Sequence, residues 1–480
     1  MRRTKIVATL GPATDTEDAI ERLVRAGVDV VRVNFSHGDP DDHRQRVRWI
    51  RDAAERVGRV VGVLGDLQGP KIRTTRFADG AVELEDGQSF ALDSSLDEYG
   101  GDATQVGVTY PELVNDVEAG DRLLLDDGRL VLEVVRVQGS RIETRVLVGG
   151  TLSNNKGINR QGGGLSAPAI TAKDRADIKL AAELEVDYLA VSFPRSAQDL
   201  HLARALLREA GWDAGICAKI ERSEALEVMD EIILASDAIM IARGDLGVEI
   251  GDAELPAAQK VLTQRARTLN RVVITATQMM ESMIVNAIPT RAEVFDVANA
   301  VLDGTDAVML SGETATGKHP DKVVAAMSRI CEAAEKQRKA RFSDHRMNST
   351  FTRVDEAIAM ATMYTANHLG VAAIAALTES GATTLWMSRI SSGIPIYGIT
   401  QHLRTSRRLT LYRGVYPVIF RELPSSHAEV NEAVVELLKA EGVVQDGQLV
   451  VITKGDLNGV HGGTNALKIV RVGERIVPQS

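Results

Sequence analysis

The sequence predicts an α/β protein: a (β/α)8 TIM barrel with an inserted small β-barrel lid domain and a C-terminal open α/β domain. Three observations predict it. Eight short apolar runs rich in β-branched residues alternate with amphipathic stretches. Nearly continuous apolar runs mark parallel strands covered on both faces, and eight βα units are the number that closes a barrel. The alternation breaks once, after the third run, where residues 69–168 carry several short β-like runs instead. It resumes beyond a polar stretch, 342–353, as a separate set of strands and helices.

The barrel strands are read at 6–10, 28–33, 60–64, 188–193, 214–220, 238–242, 272–276 and 307–310. The first helix opens at Asp15-Thr16-Glu17-Asp18, whose acidic residues suit a helix N-terminus. Ile20, Leu23 and Val24 give its apolar stripe, and Gly27 ends it. Further helices are expected at 41–57, 172–184, 197–209, 223–234, 256–269, 291–302 and 320–336. In the insert, runs at 81–84, 89–92, 122–125, 130–137 and 141–147 are punctuated by Asp86-Gly87, Asp127-Gly128 and Gly149-Gly150, which read as tight turns. An insert in a βα loop lies at the catalytic end of a barrel and can act as a lid. The last part reads as helices 355–369, 383–391 and 430–440 with strands 373–377, 396–399, 449–453 and 468–472. The expected domains are a barrel (1–69 and 168–341), a lid (70–167) and an α/β domain (342–480).

At 480 residues, 44% hydrophobic and 25% charged, the chain has the balance of a soluble globular protein of two to four domains. A net charge of −10 attracts neither nucleic acid nor anionic membrane, so an anionic ligand needs Lys and Arg gathered locally. Two cysteines, Cys217 and Cys331, suit a reducing cytoplasm. The basic start, Met1 to Lys5, precedes an apolar run too short for a signal peptide. No run approaches the ~18 apolar residues of a membrane span.

Function in a barrel collects where strands end, and these ends are polar. The second strand leads to Arg32, Asn34, Ser36 and His37, the third to Asp66 and the fifth to Lys219 and Glu221. The sixth gives Arg243 and Asp245, the seventh Thr275 and Thr277, and the eighth Ser311 and Glu313. Glu221 and Asp245 end neighbouring strands, where two carboxylates can hold Mg2+ or Mn2+ and leave positions for substrate. Lys219 lies two residues before Glu221 and so faces the same side of its strand. An ammonium beside a divalent cation suits phosphoryl transfer, where catalysis is mostly positioning and charge neutralisation. One such pair would read as a structural salt bridge; Lys, Glu and Asp on adjacent strands with Arg32 and Thr277 nearby favour a site. The run Gly312 to His319 nearly matches a phosphate-binding loop, but His319 replaces the metal-binding hydroxyl. Met279, Met280 and Met283 read as packing, His37 as structural, Arg243-Gly244-Asp245 as a strand end rather than an adhesion signal, and Asn348-Ser349-Thr350 as an unused glycan acceptor.

Several segments together resemble the pyruvate kinase family: KIVATLG at 5–11, VNFSHG at 33–38, GPKIR at 69–73, AKIE at 218–221, ARGDLG at 242–247, ATQMMESMI at 276–284 and the long run at 289–314. The resemblance covers the whole chain in the family's order. It implies transfer of the phosphoryl group of phosphoenolpyruvate to ADP, giving pyruvate and ATP in the last step of glycolysis. It assigns Glu221 and Asp245 as Mg2+ (or Mn2+) ligands and Lys219 as the transition-state stabiliser. Arg32, Gly244, Asp245 and Thr277 would hold phosphoenolpyruvate, with Thr277 also a candidate route for the proton that quenches the enolate. Asn34, Arg73 and Lys156 match nucleotide contacts. Asn34, Ser36, Asp66 and the carbonyl of Leu67 match a K+ site, yet Lys71 stands where K+-dependent members typically carry Glu, so its ammonium is expected to take the place of that ion. The family also implies a homotetramer and an effector site in the last domain. There Thr378, Ser380, Thr383 and Thr384 lie between an apolar strand and a helix, and a sugar monophosphate or AMP is the expected activator. A metal-dependent lyase could use the same carboxylates, but it would have no evident need for Arg73 and Lys156 in the lid.

Overall fold

The computed structural model describes residues 1–337, 350–421, 424, 427–456 and 462–474. Asn348 and Ser349 of the glycan triplet, and 342–349 of the polar stretch, lie outside these residues.

Eight parallel strands form a closed barrel: Lys5–Thr9, Val30–Asn34, Gly62–Asp66, Tyr188–Val191, Gly215–Ile220, Ala238–Ala242, Val272–Ala276 and Ala307–Leu310. Each is adjacent to its neighbours in chain order, and the first pairs with the eighth through Lys5 to Ala307 and Ala8 to Leu310. Every strand agrees with its sequence expectation within two residues at each end. The reason is burial on both faces: Ile6, Val30, Val63, Ile216, Ile239, Ile274 and Val308 are all fully buried.

The chain divides into two compact units, one of Met1–Gly65, Leu184–Leu189 and Thr263–Ser480, the other of Asp66–Glu183 and Ala190–Leu262. In the first unit, helix Glu17–Ala26 is capped by Thr16, which accepts from the Ala19 N–H, and ends at Gly27 with φ 109°. Its last domain is a five-stranded sheet in the order Val415–Ile419, Ile396–Thr400, Ala373–Leu377, Leu449–Gly455, Thr464–Arg471, with only the final strand antiparallel. Separate apolar cores cover its two faces, one around Met363, Met387 and Leu409, the other around Val434, Leu438 and Ile452. Strand Val415–Ile419 and helix Leu403–Leu409 were not expected from the sequence.

In the second unit the insert forms a six-stranded sheet and a two-stranded ribbon. They enclose one core that includes Phe77, Phe90, Leu92, Leu123, Leu132 and Ile142. This is the form taken by the small β-barrel expected there. Gly149-Gly150 is not a hairpin turn. Val148 pairs with Val131 in the larger sheet and Gly150 with Leu84 in the ribbon, so the chain turns a corner between them. A Cβ on Gly149 would lie 2.2 Å from the Leu84 carbonyl oxygen, which is why glycine stands at this crossing. The single helix expected at 223–234 is two pieces, Glu224–Glu227 and Met229–Ala235, parted at Val228.

The near-match to a phosphate loop is not a cradle. Residues Gly312–Ala315 make one short helical turn, the Gly317 N–H donates to the Gly312 carbonyl at 2.9 Å and the Lys318 N–H to that of Ile284 at 2.9 Å. Those groups are spent on the fold. Met279, Met280 and Met283 are fully buried, as packing residues should be.

Candidate active site

Lys219 and Glu221 lie at the end of the fifth strand, Gly215–Ile220, and the period of two brings them to one side. Lys219 Nζ stands 2.8 Å from Glu221 Oε1 and 3.4 Å from Asp66 Oδ1. It also donates to Ser192 Oγ at 2.7 Å. Asp66 is fully buried and Glu221 almost so. Glu221 Oε2 accepts the Phe193 N–H at 2.8 Å, which fixes the plane of the carboxylate. The carbonyl of Leu67, expected at a K+ site, accepts from Ser192 Oγ at 2.8 Å.

Asp245 sits in the first turn of helix Arg243–Ile250, directly after the sixth strand. The sequence reading had only a strand end here. Burial first, and then the charge of Glu221, push the Asp245 carboxyl up to about 6, while Lys219 and Lys71 act in the opposite sense. A half-buried carboxyl raised by a buried carboxylate beside it marks a place short of positive charge. The hard oxygens of the two fit a divalent cation such as Mg2+ or Mn2+. Among the described residues no group of three or more His, Cys, Asp or Glu side chains is arranged to hold a metal. Arg243 is buried, with Nη1 3.5 Å from Gln259 Oε1.

A cavity of about 230 Å³ adjoins Asp245. Lys71, Arg73, Asp127, Phe193, Arg222 and Glu249 are among its walls. Arg73 reaches it from the inserted domain. Lys156 is tied by its ammonium to Asp126, 2.7 Å away, and Asp126 also lines the cavity. Burial, then Arg73 and Lys219, lower the Lys71 ammonium below its usual range, while Asp245 and Asp66 act to raise it.

Gly244 lies beside Asp245 in the first turn of the same helix, in the second compact unit, whereas Arg32, Asn34, Ser36, Thr277 and the residues of the last domain belong to the first. Arg32 is half-buried on the second strand and donates to Thr9 Oγ1 at 3.2 Å. The Asn34 side chain accepts the Ser36 N–H at 3.1 Å and shapes the turn after that strand. Thr277 follows the seventh strand with φ 66°, and Gln278 has φ 53°. A β-branched residue in the left-handed region is held there at a cost, a feature that clusters at functional sites. Thr275 is buried and bonds Thr305 Oγ1 at 3.0 Å, and Glu313 accepts N–H groups from Met280 and Ser311 at 3.1 and 2.6 Å, so both serve the fold.

In the last domain the Thr378 hydroxyl accepts the Gly381 N–H at 2.9 Å and Ser380 Oγ the Ala382 N–H at 3.4 Å. Thr383 and Thr384 are buried; Thr383 bonds Thr464 Oγ1 at 2.7 Å and Thr384 donates to the Gly381 carbonyl at 2.7 Å. Glu379 Oε2 lies 2.7 Å from His402 Nε2.

Sequence reasoning missed Ser192, Asp127 and Glu249. Ser192 was counted inside an apolar run, although a lone hydroxyl at the end of a barrel strand was a usable signal.

Residues 1–324 match the model of the pyruvate kinase barrel domain, and residues 356–470 that of the pyruvate kinase alpha/beta domain. Pyruvate kinase II of Salmonella typhimurium is 57% identical over 476 residues, 98% of this chain and 99% of that one. The pyruvate kinase of Haemophilus influenzae is 54% identical over 95% of this chain and 96% of its own length. That of Geobacillus stearothermophilus is 44% identical over 98% of this chain and 80% of its own. With a closed eight-stranded barrel, the Lys219–Glu221 arrangement at a strand end and matches at this identity over nearly the full length, the chain belongs to the pyruvate kinase family.

Proposed function

We propose that this enzyme transfers the phosphoryl group of phosphoenolpyruvate to ADP, forming pyruvate and ATP. The observation that carries the reading is the Lys219 ammonium, 2.8 Å from Glu221 and beside buried Asp66, with a cavity reaching Asp245 that Lys71, Arg73 and Arg222 line together with carboxylates. Glu221 and Asp245 would hold Mg2+ or Mn2+, which when bound supplies Lewis-acid neutralisation of phosphoryl and carboxylate oxygens. Lys219 neutralises charge on the phosphoryl group in transfer. Arg32, the Gly244 backbone, Asp245 and Thr277 bind phosphoenolpyruvate. Asn34, Arg73 and Lys156 meet the nucleotide, Lys156 by exchanging Asp126 for a phosphate. Thr277, directly or through water, lies on the proton path to the enolate carbon.

Asn34, Ser36, Asp66 and the Leu67 carbonyl form the counterpart of a K+ site, with Lys71 supplying the charge. The loop at Thr378 and Ser380 takes the phosphate of a sugar monophosphate or AMP, with Thr383 and Thr384 supporting it from within. No helix among the described residues is long and apolar enough to cross a membrane, and Cys217 and Cys331 are free and buried. Both fit a cytoplasmic enzyme, and the family suggests a homotetramer. The deciding experiment is pyruvate formation from phosphoenolpyruvate and ADP, with and without divalent metal. Formation that needs both ADP and metal is expected; absence of ADP dependence would overturn the reading.

A further inference from the structure

Ser192 follows the fourth barrel strand, Tyr188–Val191, and is buried. Its hydroxyl donates to the Leu67 carbonyl at 2.8 Å and lies 2.7 Å from Lys219 Nζ. A serine hydroxyl has one hydrogen. With that hydrogen on the carbonyl, Oγ faces Lys219 only as an acceptor, so the chain ammonium to hydroxyl to carbonyl has one polarity. The next residue, Phe193, has φ 53° and gives its N–H to Glu221 Oε2 at 2.8 Å. A Cβ on Gly69 would come within 2.7 Å of Ser192 Cβ, so the serine is closed in from that side as well. One strained dipeptide therefore orients both the ammonium and the carboxylate.

We propose that Ser192 is a positioning residue for phosphoryl transfer, holding the Lys219 ammonium in its reactive direction; this rests on the reading of Lys219 as the phosphoryl contact. The physical argument is a difference between acceptors. A Glu221 carboxylate shared with a divalent cation holds Lys219 less tightly than it does alone. Ser192 then anchors the ammonium with a neutral oxygen, which directs one N–H without cancelling the charge that the phosphoryl oxygens must meet. Substrate and metal binding do not need that anchor, because Arg32, Glu221 and Asp245 are unaffected. The turnover step does.

The test is Ser192→Ala in the full-length enzyme. The expected result is a fall in kcat of about 10- to 100-fold, the scale of one hydrogen bond to a charged group. The KM values for phosphoenolpyruvate and ADP, the Mn2+ affinity measured by direct titration, and the Tm stay close to wild type. In a Lys219→Met background the same substitution has no further effect, because the residue it positions is gone. Ser192→Cys, near in size and a weak hydrogen-bonding partner, shows the same selective loss and decides the matter alone if the alanine variant does not fold. Near wild-type kcat in either variant, a loss carried by KM or Mn2+ affinity, or an additive loss on Lys219→Met overturns the proposal. A fully active Lys219→Met enzyme would instead sink the underlying role of Lys219, so the two failures are distinguishable.

Discussion

Lys219 Nζ and Glu221 Oε1 are 2.8 Å apart at the end of one barrel strand, with the lysine partly buried and the glutamate almost excluded from water. Coulombic attraction in such a place is strong, but so is the cost of desolvating the pair, so its presence is better explained by chemistry than by stability. Lys219→Met is expected to lower kcat by about 3–5 kcal/mol of transition-state stabilisation, on the scale of lost electrostatic stabilisers. Glu221→Gln and Asp245→Asn should do the same with weakened Mn2+ binding. Steady-state kinetics with circular dichroism checks this; a folded Lys219→Met enzyme of near wild-type turnover would show that the ammonium has no part in the chemistry.

A second buried pair has a structural task. Arg389, at the end of helix Ala382–Ser388, lies fully buried against Asp306, with Nη1 donating to Asp306 Oδ2 at 2.9 Å and to the Arg271 carbonyl at 2.6 Å. Asp306 precedes the eighth barrel strand and also accepts the N–H groups of Val273 and Arg413, at 2.9 and 3.2 Å. Arg389→Leu leaves that carboxylate buried and short of a partner, so a loss of about 3–5 kcal/mol is expected. Chemical denaturation should show it as a lower midpoint. A midpoint equal to wild type would mean that the pair only breaks even with an apolar side chain.

How far the sequence reaches can be judged residue by residue. Barrel strands were legible because both faces are buried, leaving continuous apolar runs. Lys219 and Glu221 were legible because strand geometry has a period of two. Helix Arg243–Ile250 was not, since Gly244 and Gly247 in RGDLGVEI give it the composition of a loop. Strand Val415–Ile419 was hidden by Pro417, which a strand tolerates at a sheet edge, and this strand is an edge. Ser192 was hidden because the strand was read through it; the chain leaves the β region at Phe193, a conformation that no local pattern announces.

Glu249 gives a pH dependence of stability. The carboxyl is almost fully buried and accepts the Ser223 N–H at 2.8 Å. Burial chiefly, with the Ser223 bond opposing, then Glu224 raising and Arg222 lowering, pushes it up to about 7. Lys71, Arg73, Asp126, Asp127 and Asp245 line the same cavity. Between the ordinary carboxylate range and about pH 7 the folded protein holds a proton that the unfolded chain releases, so this contribution is full below that range and is lost as pH rises through 7. Glu249→Gln never ionises and lacks the loss. Relative to the variant, the wild type should lose about 1–3 kcal/mol between pH 5 and 8. Parallel Tm profiles would refute the buried ionisation.

The effector role proposed for the loop at Thr378 and Ser380 implies a response to monophosphates. Thr378 and Ser380 turn their hydroxyls to the loop backbone, while Glu379 is held by His402 at 2.7 Å. A carboxylate at the loop disfavours a doubly phosphorylated ligand more than a singly phosphorylated one. A sugar monophosphate or AMP should lower the half-saturating phosphoenolpyruvate concentration by about fivefold or more, the lower end of common allosteric couplings. Ser380→Asp should abolish the response and spare basal kcat. Saturation curves indifferent to every such compound would remove the site.

The K+ requirement turns on Lys71. Asp66 is fully buried and interacts favourably with the Lys71 ammonium, as does Asp245, whereas Lys219 and Arg73 oppose it. The ammonium is thus within electrostatic reach of the carboxylate that the family resemblance makes a K+ ligand. A K+ ion placed about 4 Å from it would be repelled by ~4 kcal/mol at an effective dielectric near 20, close to a thousandfold in affinity. Lys71 should therefore replace the ion rather than accompany it. Turnover is expected to persist in a buffer whose only monovalent cation is a large organic one. Lys71→Glu removes the built-in charge and adds a carboxylate, so that variant should be nearly inactive without K+ and recover as K+ is added. A wild-type enzyme that is silent until K+ is supplied would show that Lys71 points elsewhere during turnover and that the ion keeps its own site.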